Sequence, residues 1–209
     1  MLFRSGLAAL GDQTTGFLGG GKGNKVVYHM PSIGGLSAAV SYGDAGATSE
    51  ADETATAVSY KMDMMGGSLR LQYANIETDG ANATSDESAG TEFGAEYSSS
   101  FGRVYMMSQN TETTTPAGAK TSDVEGTTFG AQYNLNDATK LVYYRREMSQ
   151  DGTTNLGDDF SSDTIGVRYD MTGGLRIGIL HTNYDFNDAS AAATSDNGSA
   201  TRLQVRVNF

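Results

Sequence analysis

The 209-residue sequence contains no cysteine, no tryptophan and only two prolines. The lack of cysteine excludes disulfide bonds and metal sites that need thiolate ligands. No apolar run approaches the roughly 20 residues of a membrane-spanning helix, which excludes a membrane protein built from helices. The net charge of −11 argues against the basic surface that nucleic acid requires, so we expect no nucleic-acid partner.

The sequence is rich in glycine, with 27 residues, and contains a repeat. Gly90–Tyr97 reads GTEFGAEY and Gly126–Tyr133 reads GTTFGAQY, and these segments differ at two positions. Thr54–Tyr60 (TATAVSY) and Thr164–Tyr169 (TIGVRY) are looser relatives. The terminal tyrosines stand at 60, 97, 133 and 169, so the period is 36 or 37 residues.

Each repeat consists of a strand, a short turn, a second strand and a long acidic segment. Val58 and Tyr60 alternate with Ser59 and Lys61, and this period of two indicates strands with two chemically different faces. One strand, 139–147, has an ambiguous face, because its two sets of alternating residues are both partly apolar. The pattern predicts eleven strands, at 24–30, 36–42, 54–62, 68–77, 90–97, 102–110, 126–133, 139–147, 162–170, 175–184 and 199–209.

The connections alternate in length, which predicts a meander of antiparallel hairpins with one smooth end and one elaborate end. The short connections are Pro31–Gly35, Asp63–Gly67, Ser98–Phe101, Asn134–Ala138 and Met171–Gly174. The long connections are Gly43–Glu53, Thr78–Ala89, Thr111–Val124, Met148–Ser161 and Asp185–Gly198.

Charged residues recur on one face of strand after strand. Ionised groups are costly in a dry core but natural in a water-filled lumen, and short turns opposite long loops are typical of transmembrane barrels. We therefore predict an all-β, antiparallel up-and-down transmembrane β-barrel. Its pore-lining candidates are Lys61, Arg70, Glu92, Glu96, Arg103, Arg168, Arg176, Arg202 and Arg206.

Aromatic residues end strands at the smooth end. An aromatic girdle at a membrane interface has this pattern. The alternative is that tyrosine simply favours strands. The candidate girdle residues are Tyr60, Tyr97, Tyr133, Tyr169 and Phe209.

The last nine residues, TRLQVRVNF (Thr201–Phe209), alternate strictly and end on an aromatic residue. They resemble the closing strand of Gram-negative outer-membrane barrels. This resemblance implies that Phe209 is also an assembly signal, read by the barrel-assembly machinery.

Gly23–Ala45, GNKVVYHMPSIGGLSAAVSYGDA, resembles the strand–turn–strand after the constriction loop of general diffusion porins, with alphaproteobacterial, Rhodobacter-type porins the most similar. That family has 16 strands, eleven of them after this loop. The resemblance implies that the chain is a C-terminal fragment. Residues 24–209 would then be an incomplete barrel and residues 1–23 the remaining constriction-loop segment. Met1–Ser5 matches translated sequencing-adapter DNA, so we expect that it is not native.

The resemblance also implies location in the bacterial outer membrane and passive diffusion of ions and small hydrophilic solutes. The implied partners are membrane lipid, lipopolysaccharide and, for the full-length chain, two further copies in a homotrimer. No cofactor is implied. The alternatives are the translocator or anchoring barrel of a surface-exported protein and a soluble β-rich adhesin.

Motifs for catalysis or metal binding are weak. Gly16–Lys22 has the spacing of a phosphate-binding loop, but Gly23 replaces the Ser or Thr and a strand follows. His29 and His181 lack zinc-ligand spacing and no nucleophile elbow is present, so we expect no metal and no enzyme, with a barrel-wall hydrolase as the alternative. The acids of the long connections are interpreted as solvated loops or, alternatively, as groups that divalent cations bridge to lipopolysaccharide phosphates.

Overall fold

The computed structural model describes residues 25–43, 52–80, 84–152, 156–171, 173–187 and 195–207. These residues form one antiparallel sheet in which each strand pairs with the next along the chain. No helix within these ranges is both long and apolar enough to cross a bilayer. The strands are β1 Lys25–His29, β2 Leu36–Gly43, β3 Glu53–Met64, β4 Gly67–Thr78, β5 Glu87–Ser99, β6 Gly102–Thr114, β7 Lys120–Asn134, β8 Thr139–Gly152, β9 Leu156–Asp170, β10 Leu175–Asn187 and β11 Ser195–Val207.

The eleven predicted strands and their up-and-down order are confirmed. Two predicted long connections are wrong in extent, because strands occupy most of Thr111–Val124 and Met148–Ser161. In the first, Thr111 pairs with Val124 and Thr113 with Ser122. Residues 111–114 of β6 have polar side chains on both faces, so the alternation disappears from the sequence there, while β-branched threonine continues to favour strand pairing.

The turn between β3 and β4 explains why the connections at the smooth end are short. Met65 and Gly66 both have positive φ, 50° and 73°, as a two-residue turn of type I′ requires. The twist of such a turn matches that of the strands it joins. The hairpin therefore closes without additional residues.

The two faces of the sheet differ sharply in exposure. Ile179 and Leu203 are 57% and 67% exposed on one face, whereas Met107 and Val142 are 2% and 4% exposed on the other. The described strands form a single layer, and a single layer that buries one face curves toward that face. We call the buried side the concave face and the exposed side the convex face.

The register also assigns the ambiguous strand β8. Val142 and Tyr144 lie on the concave face, paired with Gln132 and Gly130. Leu141 lies on the convex face and is 40% exposed. Lys140 and Arg146, which share the phase of Val142, therefore belong to the concave face.

Tyrosine rings cover glycines on the concave face. Tyr105 pairs with Gly130 across β6 and β7, and a Cβ atom added at Gly130 would lie 2.0 Å from Tyr105 Cε1. Tyr184 covers Gly198 in the same way, with its hydroxyl oxygen 2.6 Å from the added atom. Only glycine leaves room for the ring to lie flat against the neighbouring strand.

We predict that Gly130→Ala destabilises the sheet by about 1–3 kcal/mol, because the methyl group displaces the Tyr105 ring. Gly178→Ala is the matched control, since its added Cβ would meet only Val167 O, at 3.7 Å. Urea unfolding in detergent measures both. Equal losses for the two variants would contradict the proposed ring packing, and Tyr105→Ala should remove most of the cost of Gly130→Ala.

Candidate functional site: the charged concave face

The nine charged residues predicted to share one strand face do so, on the concave side. Residues directly opposite in an antiparallel pair lie on the same face. Lys61 pairs with Arg70, and Arg70 pairs with Glu96. The pairings of the remaining strands place the others on that face as well: Glu92, Arg103, Arg168, Arg176, Arg202 and Arg206. Their exposure to a water-filled pore stays a prediction.

The four described tyrosines of the predicted girdle lie on the convex face and follow an oblique line. Tyr60 pairs with Leu71, and Leu71 pairs with Ala95, which is two residues before Tyr97. The same two-residue step toward the short connections leads to the other members, Tyr133 and Tyr169. We call the line through the four residues the tyrosine line.

The tyrosine line has the slope expected of a membrane plane. It shifts by one residue for each strand crossed. A rise of about 3.3 Å per residue and a strand separation of about 4.8 Å convert this shift to a strand tilt of about 35°, at the lower end of the range for transmembrane barrels. The period of 36 or 37 residues therefore keeps one tyrosine of each repeat at a constant depth. Phe209 lies outside the described residues, so its roles stay predictions, as does the segment 1–23.

Cations occupy the strands between these tyrosines. On β6, Val104 pairs with Tyr97 and Gly102 pairs with Tyr133, so Arg103 lies on the tyrosine line but points to the concave face. On β4, β8 and β10, the residue at which the tyrosine line crosses the strand is likewise a cation that points to the concave face. We call the resulting set the cation row, and it consists of Arg70, Arg103, Lys140 and Arg176.

A carboxylate holds part of the cation row in place. Lys140 Nζ lies 2.7 Å from Asp170 Oδ2, and Arg176 Nε donates to Asp170 Oδ1. Arg168 Nε lies 4.0 Å from the same oxygen. One carboxylate therefore faces three cations, and it positions them without neutralising the cluster.

Arg168 and Arg103 have further polar partners. Arg168 Nη2 donates to Gln132 Oε1 at 2.8 Å, across the intervening strand β8. Arg103 Nη1 lies 3.3 Å from Glu96 Oε2. Both arginine side chains are largely buried, with 11% and 16% of their surface exposed. Their positions are thus fixed by the concave wall rather than by solvent.

Sequence reasoning missed several members of this face. Lys140 escaped because the phase of β8 was ambiguous, although its distance of 37 residues from Arg103 and 36 from Arg176 repeats the tyrosine period. Asp170 was not singled out. The concave face also carries Tyr105 and Met107, which are buried, so it is less uniformly polar than a charge pattern suggests.

Two of the acids in the predicted long connections form ion pairs. Lys120 Nζ lies 2.8 Å from both Asp123 Oδ2 and Glu112 Oε2. Hydrogen bonds to Asp123 and Glu112 raise the pKa of Lys120, and the same lysine lowers the pKa of Asp123. Across the described ranges, no group of three or more acidic or histidine side chains is arranged to hold a metal ion.

Known proteins share the sequence pattern and the fold of this chain. The chain matches a family model described as Gram-negative porin over residues 3–209. OmpT of Vibrio cholerae has a similar structure, with a TM-score of 0.66 and 14% identity over 87% of this chain and 62% of that one. An anion-selective porin from Comamonas acidovorans gives a TM-score of 0.66 and 16% identity, over 87% of this chain and 57% of that one.

The trimer form of in-vitro folded OmpT gives a TM-score of 0.61 and 13% identity, over 86% of this chain and 64% of that one. A search of the curated proteins finds no sequence that matches the chain. The chain spans about three fifths of the length of OmpT and of the Comamonas porin. The predicted Rhodobacter-type subgroup stays a prediction, because these similar structures come from Vibrio and Comamonas. The match over nearly the whole sequence, on a one-layer sheet of outer-membrane barrel type, shows that this chain belongs to the Gram-negative porin family of the bacterial outer membrane.

Proposed function

We propose that the protein forms a water-filled channel for passive diffusion of ions and small hydrophilic solutes, with the concave face as its wall. The observation that carries this proposal is the one-sidedness of the sheet. Within four residues of the tyrosine line, the convex side chains carry no charge and are mostly apolar or aromatic, whereas the charged side chains lie on the concave face. Further along β8 and β9, Arg145 forms ion pairs with Glu147 and Asp163 on the convex face. A single layer with two such faces needs hydrocarbon on one side and water on the other, which a bilayer-spanning pore provides.

The exposed apolar surface argues against the soluble adhesin. Phe129, Ile165 and Val205 lie on the convex face and are 48%, 63% and 59% exposed. Comparable residues follow on the neighbouring strands, so the exposed surface is a continuous band. Soluble monomers rarely leave so extensive an apolar patch uncovered. Membership of the porin family also disfavours the translocator barrel.

The proposed partners follow from the same arrangement. The convex band would contact lipid, the elaborate end lipopolysaccharide, and the terminal strand the barrel-assembly machinery. We also propose a homotrimer, supported by a structurally similar protein that is described in a trimer form.

We propose that no bond is made or broken. His181 Nδ1 lies 2.9 Å from Thr201 Oγ1 on the convex face, where the channel hypothesis places lipid rather than a water-borne substrate. A channel that transports solutes by diffusion needs only size and charge to discriminate between them.

Neighbouring residues of β7 provide the test of the pore wall. These 209 residues contain no cysteine, so Gln132→Cys and Ala131→Cys each add one thiol to them, and the unmodified full-length protein is the control for any thiol elsewhere. In planar bilayers, with the protein expressed from its full open reading frame, a cationic membrane-impermeant thiol reagent should react at the concave position 132 and lower the single-channel conductance. The convex position 131 should react only after unfolding.

Reaction at both positions in the membrane, or at position 131 alone, would contradict the assignment of the faces. A folded protein that gives no conductance would contradict the diffusion function itself.

A further inference from the structure

We propose that the cation row is the charge-selecting element of the channel, that it lies at the mouth next to the short connections, and that it binds small multivalent oxyanions such as phosphates. This inference rests on the proposed function as a diffusion channel. It goes further by naming the residues, the depth and the ligand chemistry.

Charge on the concave face is segregated along the strands. The tyrosine line continues to Val207 on β11, because Tyr169 pairs with Ile177, and Ile177 pairs with Val205. Among described side chains within one residue of this line, seven are basic and two acidic, a net charge of +5. They are Lys61, Arg70, Glu96, Arg103, Lys140, Arg168, Asp170, Arg176 and Arg206.

The rest of the concave face has the opposite balance. The charged side chains described there comprise two cations and five acids, a net charge of −3. They are Glu53, Asp63, Glu92, Arg146, Asp158, Asp196 and Arg202. Asp63 lies three residues from the tyrosine line beside the β3–β4 turn, and the other six charges lie toward the long connections. The excess of positive charge is therefore confined to a band along the tyrosine line.

The two carboxylates along the tyrosine line fix the positions of the neighbouring cations, but hydrogen-bond donors still outnumber acceptors there. Asp170 faces Lys140, Arg168 and Arg176, and Glu96 faces Arg103. Arg168 Nε is buried and has no hydrogen-bond acceptor among the described residues. That atom is closed to a solute, so the capacity for an oxyanion lies with the partly exposed cations, such as Lys140 and Arg176, whose side chains are 20% and 27% exposed.

Guanidinium groups suit this ligand class. Their planar fork of N–H donors matches the geometry of two phosphate oxygens, and a bidentate contact of this kind is stronger than a neutral hydrogen bond. Fixed positive charge on the wall of a water-filled cleft also raises the local concentration of anions. Screening acts over about 10 Å at 0.1 M salt, so the preference should weaken as the salt concentration rises.

Arg103→Gln and Arg176→Gln test the cation row in planar bilayers. We expect each variant to lower the ratio of chloride to potassium permeability, measured as reversal potential under a KCl gradient, with a several-fold loss when they are combined. Arg202→Gln is the matched control, because it removes a cation from the same face, five residues from the tyrosine line. It should change the ratio much less. If Arg176→Gln does not fold, Arg70→Gln is tested in its place, because that change leaves the contacts of Asp170 intact.

Asp170→Asn should act in the opposite direction. It removes the carboxylate from three cations, so it should raise the permeability ratio and tighten block by pyrophosphate. Pyrophosphate added on the short-connection side should block with weaker voltage dependence than from the other side, because its site lies at that mouth.

The proposal is overturned if the row variants and Arg202→Gln shift the reversal potential equally, if none shifts it, or if pyrophosphate block is the same from both sides. Each of these results is obtained on a conducting channel, so the diffusion function would stand. Absence of conductance from the folded parent protein would instead overturn both.

Discussion

The antiparallel hydrogen-bond register between successive strands is the constraint on which the other features of this sheet depend. Register fixes which residues face each other, and therefore which face of the sheet each side chain occupies. A slip of one residue in a single strand would move its charges to the convex face and its apolar residues to the concave one. The two-residue turn at Met65–Gly66 and the cross-strand packing of Tyr105 on Gly130 fix that register locally.

Register and repeat length together set depth in the membrane. Each hairpin advances the chain by 36 or 37 residues, while the pairing shifts the tyrosine line by two residues per hairpin. The same geometry brings Arg103, Lys140 and Arg176 to one depth on the opposite face. The tyrosine line and the cation row are therefore two consequences of one repeat, and replacement of a tyrosine would leave the cations in place.

The sequence allowed prediction of the strands wherever one face was apolar, because only there does alternation mark both the element and its sides. Prediction failed where the two faces of a strand did not differ in polarity. Thr111–Thr114 is polar on both faces, so its membership of β6 was invisible. In β8 both faces carry aromatic residues, which hid Lys140.

Other features of the site depend on contacts that no local pattern encodes. The meeting of Lys140 and Arg176 at Asp170 joins residues on three strands, and only the register brings them together. The burial of Met107 on the charged face is likewise a property of the curved sheet. Sequence indicates which residues alternate, whereas depth and ion pairing require the positions of neighbouring strands.

The central claim is that the convex face contacts hydrocarbon while the concave face contacts water. Spin labels attached one at a time to cysteines introduced along β7, from Gly126 to Tyr133, test it in liposomes containing the protein from its full open reading frame. Collision with oxygen should peak at the convex residues, such as Phe129 and Ala131. Collision with a water-soluble nickel complex should peak at the concave ones, such as Thr128 and Gln132. Accessibilities that rise and fall together along the strand, or convex labels shielded from oxygen by packed protein, would contradict the account.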